Sequence, residues 1–376
     1  MVLMANANDL IMTFIGLETM SMCLYVFAAL YKTDPGSNES GLKYFLLGSF
    51  ASAFFLFGIS LIYGITGHTN FTELATAASF AELQSNQLIF FSAIGLLLIG
   101  FLFKIAAFPF HNWTPDVYEG APTPLAGFMA TGSKMAAFVA FGVVIDRLQL
   151  VTAPENAKIV TVLALSALLT MIYGNIVAAR QQNLKRMLAY SSIAHSGYVL
   201  LGLCAASIGF QAIIFYMFIY TLMNIGAFGI VGMVEMDHPD TDMESWRGLG
   251  NKAPYFAAAL AVFLFSLAGI PPLAGFMGKY QVFITAIRTD LILLATVGIL
   301  TSVIGAYYYI KVIVLMFFKS DGKEPTFNTS FSRTPVIGIA ILVALIVLFG
   351  VAPSLILDPI AEAFNLGAIG TASVHP

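Results

Sequence analysis

Apolar runs of about 20 residues recur from one end of this sequence to the other, and each is long enough to cross the hydrocarbon of a bilayer as a helix. Hydrophobic residues fill 59% of the 376 positions and charged residues only 10%, more apolar surface than a soluble fold of this size hides. Ten spans are expected, near 10–31, 42–65, 88–108, 122–145, 158–178, 187–206, 210–234, 253–287, 290–317 and 335–357. The eighth is interrupted at Gly269-Ile270-Pro271-Pro272, and the segment 109–121 breaks the chain between the third and fourth. The expected class is all-α, a polytopic transmembrane bundle forming one membrane domain over residues 1–376.

Lys and Arg in the connections set the orientation. Lys32, Arg180, Lys185, Arg186, Arg247, Lys252, Lys319, Lys323 and Arg333 fall on one side, and Arg147, Lys158 and Arg288 on the other. The richer side is expected in the cytoplasm, which puts the C-terminus outside. The connection 235–252 also carries Glu235, Asp237, Asp240, Asp242 and Glu244, and reads as a solvated linker or docking surface. A net charge of −3 gives no reason to expect a nucleic-acid partner. Cys23 and Cys204 lie in apolar runs and suggest neither a disulfide framework nor a metal site.

Against this background the costly residues stand out. A lysine or carboxylate at bilayer depth costs about 2.5–3.5 kcal/mol on insertion scales. Glu18 is the single charge in LIMTFIGLETMSMCLYVFAAL, and Lys104 sits too deep in LLLIGFLFKIAAF for easy snorkelling. Pairing the two across adjacent helices would lower the cost of both and make a switchable proton carrier; the bland alternatives are a protonated structural Glu18 and a static ion pair. Lys134 lies halfway along the next span, and Lys279 follows the second break beside Tyr280. A relay along the membrane plane would use both, whereas a purely structural lysine would cap nearby carbonyls. His195, among small residues in YSSIAHSGYVLLG, can pass a proton through its two ring nitrogens or simply tie two helices together. His111, just past Pro109, is expected to hold the broken backbone, and Lys43 stands at the start of a span as a possible accessory. Asp116 and Glu119 read as turn chemistry within the break.

The hexapeptide Pro124–Met129 recurs letter for letter as Pro272–Met277. Each copy follows a proline break and precedes a lysine, and paired interruptions of this kind point to a transport path. Rossmann and P-loop glycine patterns are absent, and two cysteines are too few for iron–sulfur ligation, so the chain itself is expected to hold no redox centre and no cofactor.

The stretch FKIAAFPFHNWTPDVYEGAPTP resembles the subunit N family of bacterial NADH–quinone oxidoreductase (respiratory complex I). So do ANANDLIMTFIGLETMSMCLYVFAAL, LKYFLLGSFASAFFLFGISLIYG and NLKRMLAYSSIAHSGY. The resemblance runs over essentially the whole chain and is closer than to the L and M paralogues. It implies an antiporter-like fold of fourteen helices with two inverted five-helix repeats, each with a broken helix. It also implies a first buried pair at Glu18 and Lys104, a central connection through Lys134 and His195, and Lys279 on the second broken helix. The complex it implies uses NADH, FMN, iron–sulfur clusters and quinone in other subunits. Expected partners are the other membrane subunits and lipid, with contact to quinone left open, in a bacterial inner (plasma) membrane. The family has about four helices ahead of the one bearing Glu18, and MVLMANANDLIM reads like the tail of such a helix.

The function expected is proton translocation coupled to quinone reduction elsewhere, in a translocase of the respiratory chain. Two rivals stand beside it, a subunit of a multi-subunit sodium/proton antiporter and a structural membrane scaffold.

Overall fold

A computed structural model describes residues 1–76, 82–83, 85–153, 156–236, 241–318 and 333–372. Asp237, Asp240, Lys319 and Lys323, counted above for sidedness and loop character, lie outside them. The described residues form helices and no β-strand. Thirteen helices longer than one turn are labelled here in chain order. They are α1 (Leu10–Ala28), α2 (Pro35–Thr66), α3 (Gln87–Lys104), α4 (Trp113–Gly120), α5 (Thr123–Arg147), α6 (Ala157–Arg180) and α7 (Leu184–Leu203), followed by α8 (Ala206–Glu235), α9 (Pro254–Ala268), α10 (Ala274–Arg288), α11 (Ile292–Phe318), α12 (Arg333–Val351) and α13 (Ser354–Ala372).

Local chemistry sets the ends. Asp9 accepts from the backbone N–H groups of Ile11 and Met12 at the start of α1, and Asn183 accepts from that of Arg186 at the start of α7. Pro35 and Pro254 occupy first turns, where a missing N–H costs nothing. Gly67 and Gly269 close α2 and α9 with φ of 70° and 85°, a conformation that favours glycine.

Among the described residues, eight helices, α1, α2, α3, α5, α6, α8, α11 and α12, are long and apolar enough to cross a membrane. The other two expected spans fall on α7 and on the broken pair α9–α10; α13 lies beyond the ten. Large apolar side chains such as Phe50, Phe57, Leu293 and Val303 are exposed on the outside, as a hydrocarbon solvent requires. The chain is a multi-pass membrane protein.

Helix α7 runs through the centre, packed against α4, α5, α6, α8, α10 and α11. Only Arg186 and Tyr190 on it keep partial exposure. Helix α8 touches both α5 and α10, so both copies of the repeated hexapeptide pack on one helix.

Candidate functional site: a line of buried cations

Each break frees backbone groups, and side chains satisfy them. At the first, Thr170 accepts from the backbone N–H of Phe108 at 2.8 Å and Ser166 donates to its carbonyl at 2.6 Å. Trp113 Nε1 donates to Phe103 O at 3.0 Å. At the second, Ser266 Oγ accepts from Gly275 N at 3.0 Å. His111 does not hold the backbone, contrary to the expectation above. Its ring is buried against Phe108 and Tyr173, and neither nitrogen has a protein partner.

Lys104 ends α3 and is 2% exposed. It donates to Ser21 Oγ at 2.9 Å and to Tyr44 OH at 3.0 Å. The direct Glu18–Lys104 pair expected from the sequence is not formed. Glu18 is only half-buried and accepts a hydrogen bond from Ser52 instead. A cavity of about 10 Å³, the size of one water, is lined by Lys104, by its partner Ser21 and by Ser52, the partner of Glu18.

Lys134 follows a π-helical stretch, Met129–Ser133, within α5. Such a wide turn re-aims the side chains beyond it. Its ammonium donates to Ser192 Oγ at 2.7 Å, Ser196 Oγ at 3.0 Å and Ser192 O at 3.1 Å, which matches its three N–H groups. His195 sits on the same turn of α7 as these serines. Its Nδ1 is 2.5 Å from Tyr216 OH and its Nε2 3.2 Å from Tyr309 OH. Tyr309 is in turn hydrogen-bonded to Ser191.

Lys279, on α10, donates to Ser302 Oγ at 2.7 Å and to Ala268 O, at the C-terminus of α9, at 3.1 Å. Its nitrogen lies 5.3 Å from the ring centroid of Tyr198, which stands edge-on to His195. No carboxylate reaches ion-pair distance of Lys104, Lys134 or Lys279 among the described residues.

Apart from His68–Glu73 beyond the far end of α2, the ion pairs among the described residues gather instead at one end of the bundle. Asp116 on α4 binds Lys43 at 2.7 Å and Arg186 at 2.9 Å, and Glu119 binds Arg186 at 2.5 Å. Lys43 also pairs with Glu39 at 2.6 Å, so this accessory candidate belongs to a cluster joining α2, α4 and α7. Partial burial pushes the Asp116 carboxyl up, but its bonds to Lys43 and Arg186 outweigh that and hold it below its ordinary value. Lys185 and Glu235, read above as connection charges, form a second pair at 3.1 Å. Lys185 is buried and also donates to Ala121 O, while Thr123 donates to Glu235.

Sequence reasoning missed the hydroxyl groups that seat the three lysines and face the imidazole: Ser21, Tyr44, Ser192, Ser196, Ser302, Tyr216 and Tyr309. The Ser-rich turn 191–196 around His195 was the one available signal, since i and i+4 positions share a helix face.

A multi-pass helical bundle with Lys104, Lys134, Lys185, Lys279, His111 and His195 sunk in its interior is the build of a membrane protein that handles charge. The chain belongs to the NADH:quinone oxidoreductase/Mrp antiporter transmembrane family, whose sequence profile matches residues 7–305. Relatives named NADH-quinone oxidoreductase subunit N include one from Chloroherpeton thalassium, 46% identical over 95% of this chain and 74% of its own length. Another, from Trichlorobacter lovleyi, is 46% identical over 97% of this chain and 74% of its own. Among solved structures, a chain of respiratory complex I from Thermus thermophilus with bound aureothin aligns with a TM-score of 0.81 at 37% identity, covering 95% of this chain and 76% of that one. A chain of the archaeal membrane-bound sulfane sulfur reductase aligns with a TM-score of 0.86 at 27% identity, over 95% and 71%.

Proposed function

We propose that this chain is a proton-translocating membrane subunit of NADH–quinone oxidoreductase, working beside other membrane subunits of that complex. The names of its relatives and the likeness to a complex I chain support this reading. Within the complex it acts as a non-redox part of a translocase: NADH oxidation and quinone reduction take place on FMN, iron–sulfur clusters and quinone held by other chains. It resides in a bacterial inner membrane, with the basic side in the cytoplasm and the C-terminus outside.

One observation carries the proposed role: Lys104, Lys134, His195 and Lys279 are all buried, have hydroxyl rather than carboxylate neighbours, and follow one another across the bundle. An ammonium neutralised by a carboxylate holds its proton; one seated on hydroxyls in a dry interior can release it. Glu18 and Lys104 exchange a proton through the water-sized gap between Ser52 and Ser21. From Tyr44 the path continues past Thr114, Tyr118, Tyr220 and Asn224, where Thr114 Oγ1, Tyr118 OH, Tyr220 OH and Asn224 Oδ1 are buried without a well-formed hydrogen bond and therefore suit bridging water. It reaches Lys134 at Ser192. His195 then links Lys134 to Lys279, because a neutral imidazole accepts on one nitrogen while donating from the other, and a tyrosine hydroxyl faces each. Charge on one site shifts the proton affinity of the next, so the row is loaded from one side and emptied to the other.

The test is Lys104→Met in the assembled complex, read as NADH-driven proton uptake into inverted membrane vesicles. Uptake is expected to fall by roughly tenfold or more, in line with loss of a proton-transfer group, with assembly intact. Normal uptake with normal assembly would remove Lys104 from the path. Sodium-dependent exchange without NADH would favour the antiporter reading.

A further inference from the structure

Asn175 on α6 is 1% exposed, and the proton path described above does not use it. Its Nδ2 donates to Met171 O, one turn earlier on the same helix, at 2.8 Å and to Tyr198 OH on α7 at 2.9 Å. Its Oδ1 accepts from Tyr308 OH on α11 at 3.2 Å. Asn175, Tyr198 and Tyr308 are all buried within the bundle, so this cluster does not depend on what surrounds the chain.

The partners dictate which way each hydrogen points. A backbone carbonyl only accepts, so the side of the amide turned to Met171 must be its NH2 group. That leaves one N–H for Tyr198 and the amide oxygen for Tyr308. Tyr308 must therefore donate, and its hydrogen is spent on Asn175. Tyr198 must accept, and its own hydrogen is turned away from the amide. Thr301 and Ser302 are the other hydroxyls beside it. Thr301 has committed its hydrogen to Gly298 O at 3.0 Å, and Ser302 Oγ is the seat of Lys279, at 2.7 Å.

We propose that Asn175 is a positioning residue of the proton path: it holds the Tyr198 hydroxyl with its hydrogen free for Ser302, so that Lys279 keeps a hydrogen-bonded seat after it gives up its proton. The proposal rests on the reading of Lys279 as a member of that path. As an ammonium, Lys279 donates to Ser302 Oγ. As a neutral amine it carries a lone pair, and Ser302 turns its own hydrogen to that nitrogen. The serine oxygen then lacks the donor it had, and Tyr198 supplies one. When the proton returns, the serine hydroxyl turns back and Tyr198 releases it. The amide transfers no proton itself; it fixes the direction of the row Asn175, Tyr198, Ser302, Lys279. In a dry interior a row with every link oriented is worth more than its separate bonds, and one missing link leaves a polar group unsatisfied at each turnover.

The experiment is a set of variants of the assembled complex, read as the rate of NADH-driven proton uptake into inverted membrane vesicles beside the yield of intact complex. Asn175→Leu should slow uptake by roughly threefold to tenfold, the range one neutral hydrogen bond confers, with the yield unchanged. Tyr198→Phe should slow it as much, and the double variant should fall no further than Tyr198→Phe alone, because Asn175 acts through that hydroxyl. Tyr308→Phe should cost about twofold at most, since Met171 O still fixes the amide. A purely structural amide gives the opposite pattern: Tyr308→Phe as harmful as Tyr198→Phe, the losses of the double variant multiplying, and yield falling with uptake. That pattern would overturn the proposal. If Asn175→Leu does not assemble, Asn175→Asp keeps the shape but has at most one hydrogen for Met171 O and Tyr198 OH, and should show the same loss. Normal uptake in Asn175→Asp and Tyr198→Phe, together with lost uptake in Lys279→Met, would overturn the role of Asn175 and leave the path standing. Normal uptake in Lys279→Met would remove Lys279 from the path and overturn both.

Discussion

Lys134 and Lys279 follow two copies of one hexapeptide, and the molecule treats them differently. Lys134 stands five residues beyond Met129, across a π-helical stretch, while Lys279 stands two beyond Met277 on a regular helix. The first is enclosed by α7 and fully hydrogen-bonded; the second hangs over the end of α9 beside a cavity of about 480 Å³ between α10 and α11. The same six residues begin a helix packed on α8 in both places, so the repeat reproduces the scaffold and not the environment of the charge. Where a lysine lands relative to its break decides whether it is tightly seated or has space beside it.

Arginine substitutions give the largest separation between the two sites. A guanidinium does not give up its proton, so Lys134→Arg and Lys279→Arg should both stop proton uptake. They should part in assembly, measured as the yield of intact complex. Lys134→Arg forces a larger, planar group into a filled seat and should lose most of it, whereas the cavity beside Lys279 has room. Equal yields would show that enclosure does not distinguish the sites.

The hexapeptide glycines offer a smaller contrast. A Cβ on Gly275 would stand 1.9 Å from the carbonyl oxygen of Ser266, and one on Gly127 would stand 2.8 Å from Phe228 Cβ. Backbone cannot yield at a break as a side chain can, so Gly275→Ala should cost about 3 kcal/mol or more of stability and Gly127→Ala about 1–2 kcal/mol. Thermal denaturation of the purified complex would rank them, and a reversed order would show that the second break is the softer one.

The smallest effect concerns the ion cluster that ties down α4 at the first break, with no counterpart at the second among the described residues. Asp116 is held below its ordinary value, so its contribution is fully present above the unfolded carboxylate value of about 4 and fades as pH falls through the depressed folded one. Its side chain is 37% exposed, which limits the effect to no more than about 1 kcal/mol. Acid titration of the denaturation midpoint should show this loss in the parent and not in Asp116→Asn.

Much of this arrangement was legible in the sequence, because hydrocarbon penalises charge and broken backbone so heavily that the exceptions mark themselves. Lys104, Lys134, His195 and Lys279 stood out for cost alone, and all four are buried. The partners of these residues were not legible. Ser192 and Ser302 are unremarkable letters in an apolar helix, and only packing decides which hydroxyl faces a lysine. Glu18 was matched to Lys104 because both were expensive, yet Ser52 and Tyr44 satisfy them separately. Lys185 and Glu235 stood near span ends and read as connection charges, whereas they are joined at the first helix break.

Helix α7 carries the serines that seat Lys134, the imidazole, and the aromatic ring beneath Lys279. The two cations therefore share one mechanical support. A sub-ångström slide or slight turn of this rod changes the surroundings of both at once, so neither half of the bundle can be retuned in isolation, and a strain applied at the Arg186 end reaches each of them without any intervening moving part.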